Sequence, residues 1–593
     1  MSQRQTNQTD PTGTTRPGGA GSEGFDVAGK HLYLIGIGGC GMSGLARLLR
    51  SRGAIVSGSD KEESETTAAL IAESFEVGFD QSAAALPEAC ELVVASAAVK
   101  HDHPQVLAAA DRGIKVLTYA EALGKCMIGT SGVAIAGTHG KSSTVAMLGH
   151  ILIQSGLDPS VIVGATCSHL MEEPAGGNSS TNESAEKESR KTASPHPALS
   201  QGEREQVTQA AGRTPQAAAA GFRIGAATIP QGPMNGAPGI LVAEACEFNR
   251  SFHNFHPTIG AITSVEADHL DIYGSLDAVI ESFHQFARQI AAAADGGRLL
   301  ISHDGAHRRH VTAGLACDVK TIGYNPAADY HVTCDLPTRT VCLREQGKPI
   351  LSWTFNVPGE HMAMNSAFAA LIALWLGADP RLISAALATF RGVDRRMQFL
   401  GVKAMLPSPR GAGLATRVRG LHLIHDHGTA AAVSSESVRR QAEAGAAAGR
   451  GSGVAVYDDY GHHPTEIDCT LRALREFEKP ETRGGRLICV FQPHQHSRTR
   501  HLLDEFAQSF SHADVVIVPH IYFVRDSEIE KTKVSSADLV DRLRKRGVHA
   551  MHLYPFEAIV EQLQNLCRPG DLLVVMGAGP VWQVAHAFMR SGN

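Results

Sequence analysis

The stretch Val133-Ala-Ile-Ala-Gly-Thr-His-Gly-Lys-Ser-Ser-Thr144 confines this chain to a narrow set of folds. Val133 to Ala136 make an apolar run of the kind that fills a buried strand. Gly137 and Gly140 permit a tight turn, and the run that follows, to about Gln154, reads as a helix. A strand, a glycine turn and a helix opening on Lys141-Ser142 have the layout of a phosphate-binding loop. Its backbone N–H groups cradle phosphate oxygens, the lysine reaches the outer phosphates, and a hydroxyl binds Mg²⁺. The spacing Gly137-x-x-Gly140-Lys141-Ser142 is shorter than GxxxxGK[ST], because Ile135 stands where that pattern has glycine. The competing reading is an ordinary strand-to-helix turn with a surface lysine.

A second loop of this kind lies upstream. His31-Leu-Tyr-Leu-Ile-Gly36-Ile-Gly38-Gly39-Cys-Gly41-Met-Ser43-Gly44 follows an apolar strand and opens a helix over Leu45 to Arg50. Ile55 to Asp60 then read as a second strand ending in an acid. Taken alone, this is the dinucleotide-binding signature, and an NAD-dependent oxidoreductase is the obvious rival reading. A glycine loop at a helix start binds any diphosphate, however, including that of a UDP-sugar. Two phosphate loops about a hundred residues apart suggest two nucleotides in two domains.

Composition excludes several classes. The chain has 593 residues, enough for three or more domains, and is 43% hydrophobic. Its net charge of −6 and scattered basic residues give no nucleic-acid stripe. The N-terminus has no apolar run, so no signal peptide is visible, and no segment approaches a membrane span. The 11 cysteines include no CxxC pair and read as reduced thiols of a cytoplasmic protein. Membrane insertion and nucleic-acid binding are therefore not expected.

Alternating strand and helix patterns predict an α/β protein of three domains. A polar, Gly/Thr-rich tail at 1–26 is expected to be disordered. A Rossmann-like diphosphate-binding domain is predicted over 27–126, a central P-loop ATPase-like domain over 127–396, and a Rossmann-like C-terminal domain over 397–593. In the last, Leu487–Phe491, Val515–Val518 and Leu572–Met576 read as parallel strands, with a helix over Leu502 to Phe510. Two segments, 171–220 and 405–452, are rich in small and polar residues and read as flexible insertions.

In order, the chain carries Gly36-Ile-Gly-Gly-Cys-Gly-Met-Ser-Gly44, Gly137-Thr-His-Gly-Lys-Ser142, Val242-Ala-Glu-Ala-Cys-Glu247 and Glu266-Ala-Asp-His-Leu-Asp-Ile-Tyr-Gly274. Gly392-Val-Asp-Arg-Arg396, Asp458-Asp-Tyr-Gly-His-His-Pro-Thr-Glu466, Phe491-Gln-Pro-His-Gln-His-Ser-Arg498 and Met576-Gly-Ala-Gly579 follow. With these motifs the chain resembles the Mur ligases of peptidoglycan synthesis. Within that family it is most similar to the branch that joins L-alanine to UDP-N-acetylmuramate at the expense of ATP. The resemblance implies an acyl-phosphate mechanism with ATP as co-substrate, two Mg²⁺ ions, and a monomer or weak homodimer.

It also implies roles, position by position. Gly36, Gly38, Gly39, Gly41, Met42, Ser43, Asp60 and Ser96 match the UDP-sugar site. Gly137, Thr138, His139, Gly140, Lys141, Ser142, Ser143, Asn365, Arg396 and Asp459 match the ATP site, with Asp459 near the ribose and Arg396 near the phosphates. Ser142, Glu244 and His269 match metal ligands. Tyr460, His462, His494 and Arg498 match the amino-acid pocket, where Arg498 could pair with the alanine carboxylate and His462 or His494 could take a proton from its ammonium. Lys141, His269, Arg396 and His462 are the catalytic candidates.

The chain departs from the family pattern at several positions. Met362 stands where an adenine-contacting Asn is usual, Gln495 where an Arg is usual, Ser264 for an Asn, Gln398 for an acid and Pro580 for an Asp. Lys141, Glu244 and His269, which a pseudoenzyme would lose first, are kept. A recycling ligase that adds a whole tripeptide to the same sugar nucleotide, and a non-catalytic nucleotide-binding regulator, are the alternatives.

Overall fold

The computed structural model describes residues 25–172, 221–405, 453–524 and 526–591. The tail expected at 1–26 and the insertions expected at 171–220 and 405–452 lie almost wholly outside the described residues.

Three sheets follow one another along the chain, as an α/β reading requires. The first has five parallel strands, ordered Glu76–Gly78, Ile55–Ser59, His31–Ile35, Leu92–Ala95, Lys115–Thr118. Numbered along the chain, that is the 3-2-1-4-5 order of a dinucleotide-binding half-fold, with its crevice beside the central strand. The glycine loop leaves this central strand and enters the helix Cys40–Ser51. That helix starts five residues before the predicted Leu45, because Gly39 in extended conformation already caps it.

The second sheet has ten strands. From one edge they run Lys348–Thr354, Thr340–Glu345, Tyr330–Asp335, Asp318–Gly323, Arg298–Ser302, Ile259–Ile262, Ser131–Ala136, Ile240–Glu244, Ser160–Ile162 and Phe222–Arg223. The middle of this sheet is parallel, and its strands are almost wholly buried. Parallel strands covered on both faces explain why these segments read as unbroken apolar runs. The helix Lys141–Gln154 packs across it with the apolar helix Glu360–Trp375. Phe252 stacks on Phe286 with ring centroids 5.0 Å apart and meets Phe283 edge-on at 5.2 Å. Each such buried ring contributes about 1.5–3 kcal/mol.

The third sheet is ordered Gln398–Ala404, Gly453–Asp459, Leu572–Met576, Leu487–Phe491, Val515–Val518, His549–His552, all parallel except its first strand. The three predicted strands of this region are present. The helix predicted over Leu502 to Phe510 is present as Leu503–Gln508, and a second short helix, His496–His501, precedes it across Leu502.

The undescribed stretches 173–220 and 406–452 each lie between two strands that pair with each other. Ile162 opposes Phe222 and Val163 N–H donates to Gly221 O, which closes the first excursion at its base. Ala404 opposes Gly453 in an antiparallel ladder, which closes the second. Among the described residues no helix is long and apolar enough to cross a membrane.

Candidate active site

The central site is built by three adjacent parallel strands. Ile259–Ile262 and Ile240–Glu244 flank Ser131–Ala136, with Ile262 opposite Ala136 and Glu244 opposite Ile135. Whatever follows each strand therefore emerges at the same carboxyl edge. The middle strand delivers the glycine loop. One neighbour delivers Glu244 and Glu247, and the other delivers the run Thr263 to Asp271.

Gly140 has φ +82°, and a Cβ there would collide with the Asn365 amide. Gly137, at φ +140°, lies so close to Thr263 that a side chain has no room. The loop is thus glycine because the backbone must pass where no Cβ fits. Its polar groups are pinned from the neighbouring strand end. Thr138 N–H donates to Ser264 O at 3.0 Å, His139 N–H to Ser264 Oγ at 2.9 Å, and Glu266 N–H to Thr138 Oγ1 at 2.9 Å. Ser264, a departure from the family pattern, supplies an oxygen acceptor here.

Lys141 Nζ lies 2.8 Å from a Glu247 carboxylate oxygen and donates to Gly137 O at 2.6 Å. Burial opposes its charge, but Glu247 outweighs it and holds the lysine above its ordinary pKa. Ser142 Oγ donates to Glu244 Oε2 at 2.9 Å, and Gly164 N–H donates to the same oxygen. A hydroxyl and a carboxylate in contact beside a phosphate loop form the hard-oxygen pair that Mg²⁺ takes.

Among the described residues, three clusters bring metal-type donors within 4.8 Å of one another. The first, Glu247, Asp268 and His269, adjoins Lys141 and fits a cation. His269 sits in the left-handed region at φ +51°, which turns its Nε2 to within 3.8 Å of Glu247 and 3.7 Å of Asp268. The second, His150, His169 and Glu172, does not fit a cation. His169 Nε2 accepts the Arg391 N–H at 2.9 Å, so its Nδ1 carries the proton and donates to Glu172 at 2.9 Å. The third, His139, Glu266 and His463, does not fit either. His139 Nδ1 and Nε2 face Glu466 at 3.3 Å and Glu266 at 3.5 Å, so both nitrogens are protonated.

The third sheet brings its own groups to this edge. Asp459 ends a central strand and is buried. Its two oxygens accept the N–H groups of Met397 and Gly461, each at 2.7 Å, while burial pushes its carboxyl up to about 6. Arg396 lies 3.5 Å from Glu466 and over the Tyr460 ring. Arg498 is buried and grips Asp268 through Nε and Nη2, at 3.2 and 2.8 Å. In this arrangement the expected carboxylate-binding arginine already holds a carboxylate. His462 Nδ1 donates to Tyr460 O at 3.1 Å, which leaves Nε2 as its acceptor nitrogen. Burial, then Arg498, hold His462 down to about 3. His494 lies between the His462 and Tyr522 rings, with Arg498 Nη1 at 3.4 Å.

A cleft of about 230 Å³ lies between the two sheets, lined by His139, Ser142, Asn365, Arg396, Asp459 and Glu466 among others. Ser143 lines it too. Met362 is buried at its wall and accepts Asn365 Nδ2 at 3.6 Å through sulfur, so the substituted residue steers the asparagine that remains. Gln398 ties the Arg395 N–H to Asp394, a bridge its amide makes from both ends. Gln495 is buried at φ +67°, and its N–H donates to Tyr522 O.

The first loop is a separate place. Asp60, expected at the diphosphate site, turns inward and accepts the Gly38 N–H at 2.8 Å. Ser96 packs beside Gly36, while Gly41 abuts the Tyr119 ring. Met42 and Ser43 are buried in the helix start.

Sequence reasoning gave no role to Glu247, Glu266, Asp268 or Glu466, although all four stood inside recognised motifs. Each acts on a partner from another strand or sheet, which spacing along the chain does not show.

Comparison with known proteins gives the family of the chain. Residues 31–130 match the Mur ligase family, catalytic domain; residues 234–373 match the Mur ligase middle domain; and residues 417–579 match the Mur ligase, glutamate ligase domain. The UDP-N-acetylmuramate–L-alanine ligase of Agathobacter rectalis is 30% identical over 94% of this chain and 98% of its own. The chain belongs to the Mur ligase family. The Lachnospira eligens protein of the same name is 31% identical over the same shares of both chains. The crystal structure of UDP-N-acetylmuramate-alanine ligase from Thermotoga maritima shares the fold of this Mur ligase, with a TM-score of 0.60 at 21% identity over 94% of this chain and 98% of that one.

Proposed function

We propose that this Mur ligase joins L-alanine to the lactyl carboxylate of UDP-N-acetylmuramate at the expense of ATP, in the synthesis of peptidoglycan precursors. The observation that carries the reading is the meeting of Lys141, Ser142, Glu244 and His269 at one sheet edge with Arg396, Asp459 and Arg498 from another. A carboxylate is a poor electrophile because oxide would have to leave. Phosphorylation replaces that leaving group by phosphate, and the step needs positioning and charge neutralisation above all.

Lys141 then exchanges Glu247 for the outer phosphates of ATP, and Arg396 exchanges Glu466 for the same charge. Ser142 and Glu244 would hold one Mg²⁺, and Glu247, Asp268 and His269 a second. Bound there, the ions would neutralise phosphate oxygens and the acceptor carboxylate. Asp459 takes the ribose hydroxyls with the lone pairs its backbone partners leave, and Asn365 faces the base.

The first glycine loop anchors the UDP diphosphate on the N–H groups at the start of the helix Cys40–Ser51. Arg498 takes the alanine carboxylate in place of Asp268. Arg498 keeps a carboxylate partner through that exchange. His462 Nε2, the acceptor nitrogen that its Nδ1 bond to Tyr460 O leaves, takes a proton of the ammonium, with His494 beside it.

The test is phosphate release from ATP with Mg²⁺ and UDP-N-acetylmuramate, adding L-alanine, glycine, L-serine or the cell-wall tripeptide in turn. Release that depends on the sugar nucleotide and is strongest with L-alanine is expected. Preference for the tripeptide, or no turnover despite ATP binding, would overturn the reading.

A further inference from the structure

We propose that Glu466 is the latch that holds the third sheet's domain closed over the phosphate loop before nucleotide arrives. Its two oxygens do different jobs. Oε2 accepts the N–H groups of His462 at 2.9 Å and His463 at 3.3 Å and so closes the capping box of the helix Pro464–Glu478. That duty is local and fixes the carboxylate rigidly to its own helix. Oε1 is not needed for the cap. It points across the cleft to His139 Nδ1 at 3.3 Å, and on its own side it faces Arg396 Nη1 at 3.5 Å.

The partner on the far side is prepared for it. His139 sits in the glycine loop with Nε2 toward Glu266, and Glu266 in turn accepts the Thr465 hydroxyl at 2.7 Å from the opposite side of the cleft. Two carboxylates from two sheets therefore bracket one imidazolium. Against the cost of burial they raise His139 to about 9. The other titratable or charged groups facing His139 are His463, with ring centroids 4.8 Å apart, and His361 and Arg396 in the same cleft. His139 and Arg396 carry two positive charges, and Glu266 and Glu466 two negative ones. His139 and Glu266 stand on one side of the cleft, and Glu466 and Arg396 on the other. Opening it would part His139 from Glu466 and break the Thr465–Glu266 hydrogen bond.

Glu466→Gln separates the two jobs, because the amide oxygen can still cap the helix while the charge is gone. The full chain is examined without ligands by small-angle scattering and by NMR of histidine-labelled protein, with the His139 signal assigned by its loss in His139→Gln. His139 is expected to titrate near 9 in the parent chain. In Glu466→Gln it should move toward the ordinary value, about 6.5. The radius of gyration of the variant should rise, and fall back with a saturating non-hydrolysable ATP analogue. Where closure limits binding, the KM for ATP should rise about tenfold.

An unmoved His139 titration overturns the latch, and so does an unchanged scattering profile. If Glu466→Gln does not fold, His139→Gln carries the same scattering test. The KM arm rests on the ligase reading, whereas titration and scattering do not. A parent chain with no ligase activity but the expected titration would overturn that reading alone.

Discussion

The two glycine loops use one backbone device for two kinds of work. Both follow a central parallel strand, and both open a helix whose first N–H groups are available to phosphate. The first loop carries no lysine, and its nearest charged group, Asp60, braces the Gly38 amide from behind. On the proposed function it holds a ligand and does nothing to it. The second is crowded by Lys141, Glu244, Glu247 and His269, and groups from another sheet reach across to it. On the proposed function, phosphate binding belongs to the loop, whereas phosphoryl transfer belongs to what the neighbouring strands deliver to it.

Four changes would break or sharpen that contrast. Lys141→Met should lower kcat by about 10³-fold, with the dissociation constant for the sugar nucleotide unchanged by calorimetry. Equal losses in both would erase the division of labour. Glu244→Gln should raise the Mg²⁺ concentration needed for half-maximal rate by about 10- to 100-fold and leave sugar-nucleotide binding alone, as a magnesium titration would show.

Gly38→Ala tests the other loop. Its Cβ would lie 2.6 Å from Thr67 Cγ2 and 2.8 Å from Asp60 Oδ2. A rise of about tenfold in the KM for the sugar nucleotide with kcat kept corresponds to about 1.4 kcal/mol of lost binding. A fall in kcat instead would mean that the first loop also shapes the chemistry.

The smallest effect concerns pH. His139 is raised in the folded chain, so between about 6.5 and 9 the native state holds a proton that the unfolded state has lost. Its contribution to stability is complete below about 6.5 and disappears as pH rises through 9. Melting curves of the parent and His139→Gln should therefore converge toward pH 9.5, and no equivalent convergence should follow from changes in the first loop.

Much of this was legible in the chain itself. Apolar runs ending in glycine turns announce parallel strands with ligand loops at their carboxyl ends, because burial on both faces and a missing Cβ leave direct marks on composition. Glu244 was legible for the same reason, standing at the end of such a run. The short helix His496–His501 was not, since six residues hold too little periodicity to reveal it. Nor was the grip of Arg498 on Asp268, or the place of Glu466 between His139 and Arg396. These depend on how one sheet docks on another, and nothing in the spacing of residues 268 and 498 encodes it. Asp60 was read by its position in a fingerprint, yet one hydrogen bond to Gly38 turns it into a brace for the loop.

The paired bases of the two long excursions have an architectural consequence. Ile162 with Phe222, and Ala404 with Gly453, fix both ends of each excursion by ladder hydrogen bonds. For a flexible connection closed at such a base, the entropic cost grows only logarithmically, by about 0.6 kcal/mol for each doubling of length. Flexible residues added within either excursion are therefore nearly neutral cargo. The enzyme can be lengthened, trimmed or fused to a second module there while the strand ends that carry Lys141, Glu244 and Asp459 keep their places.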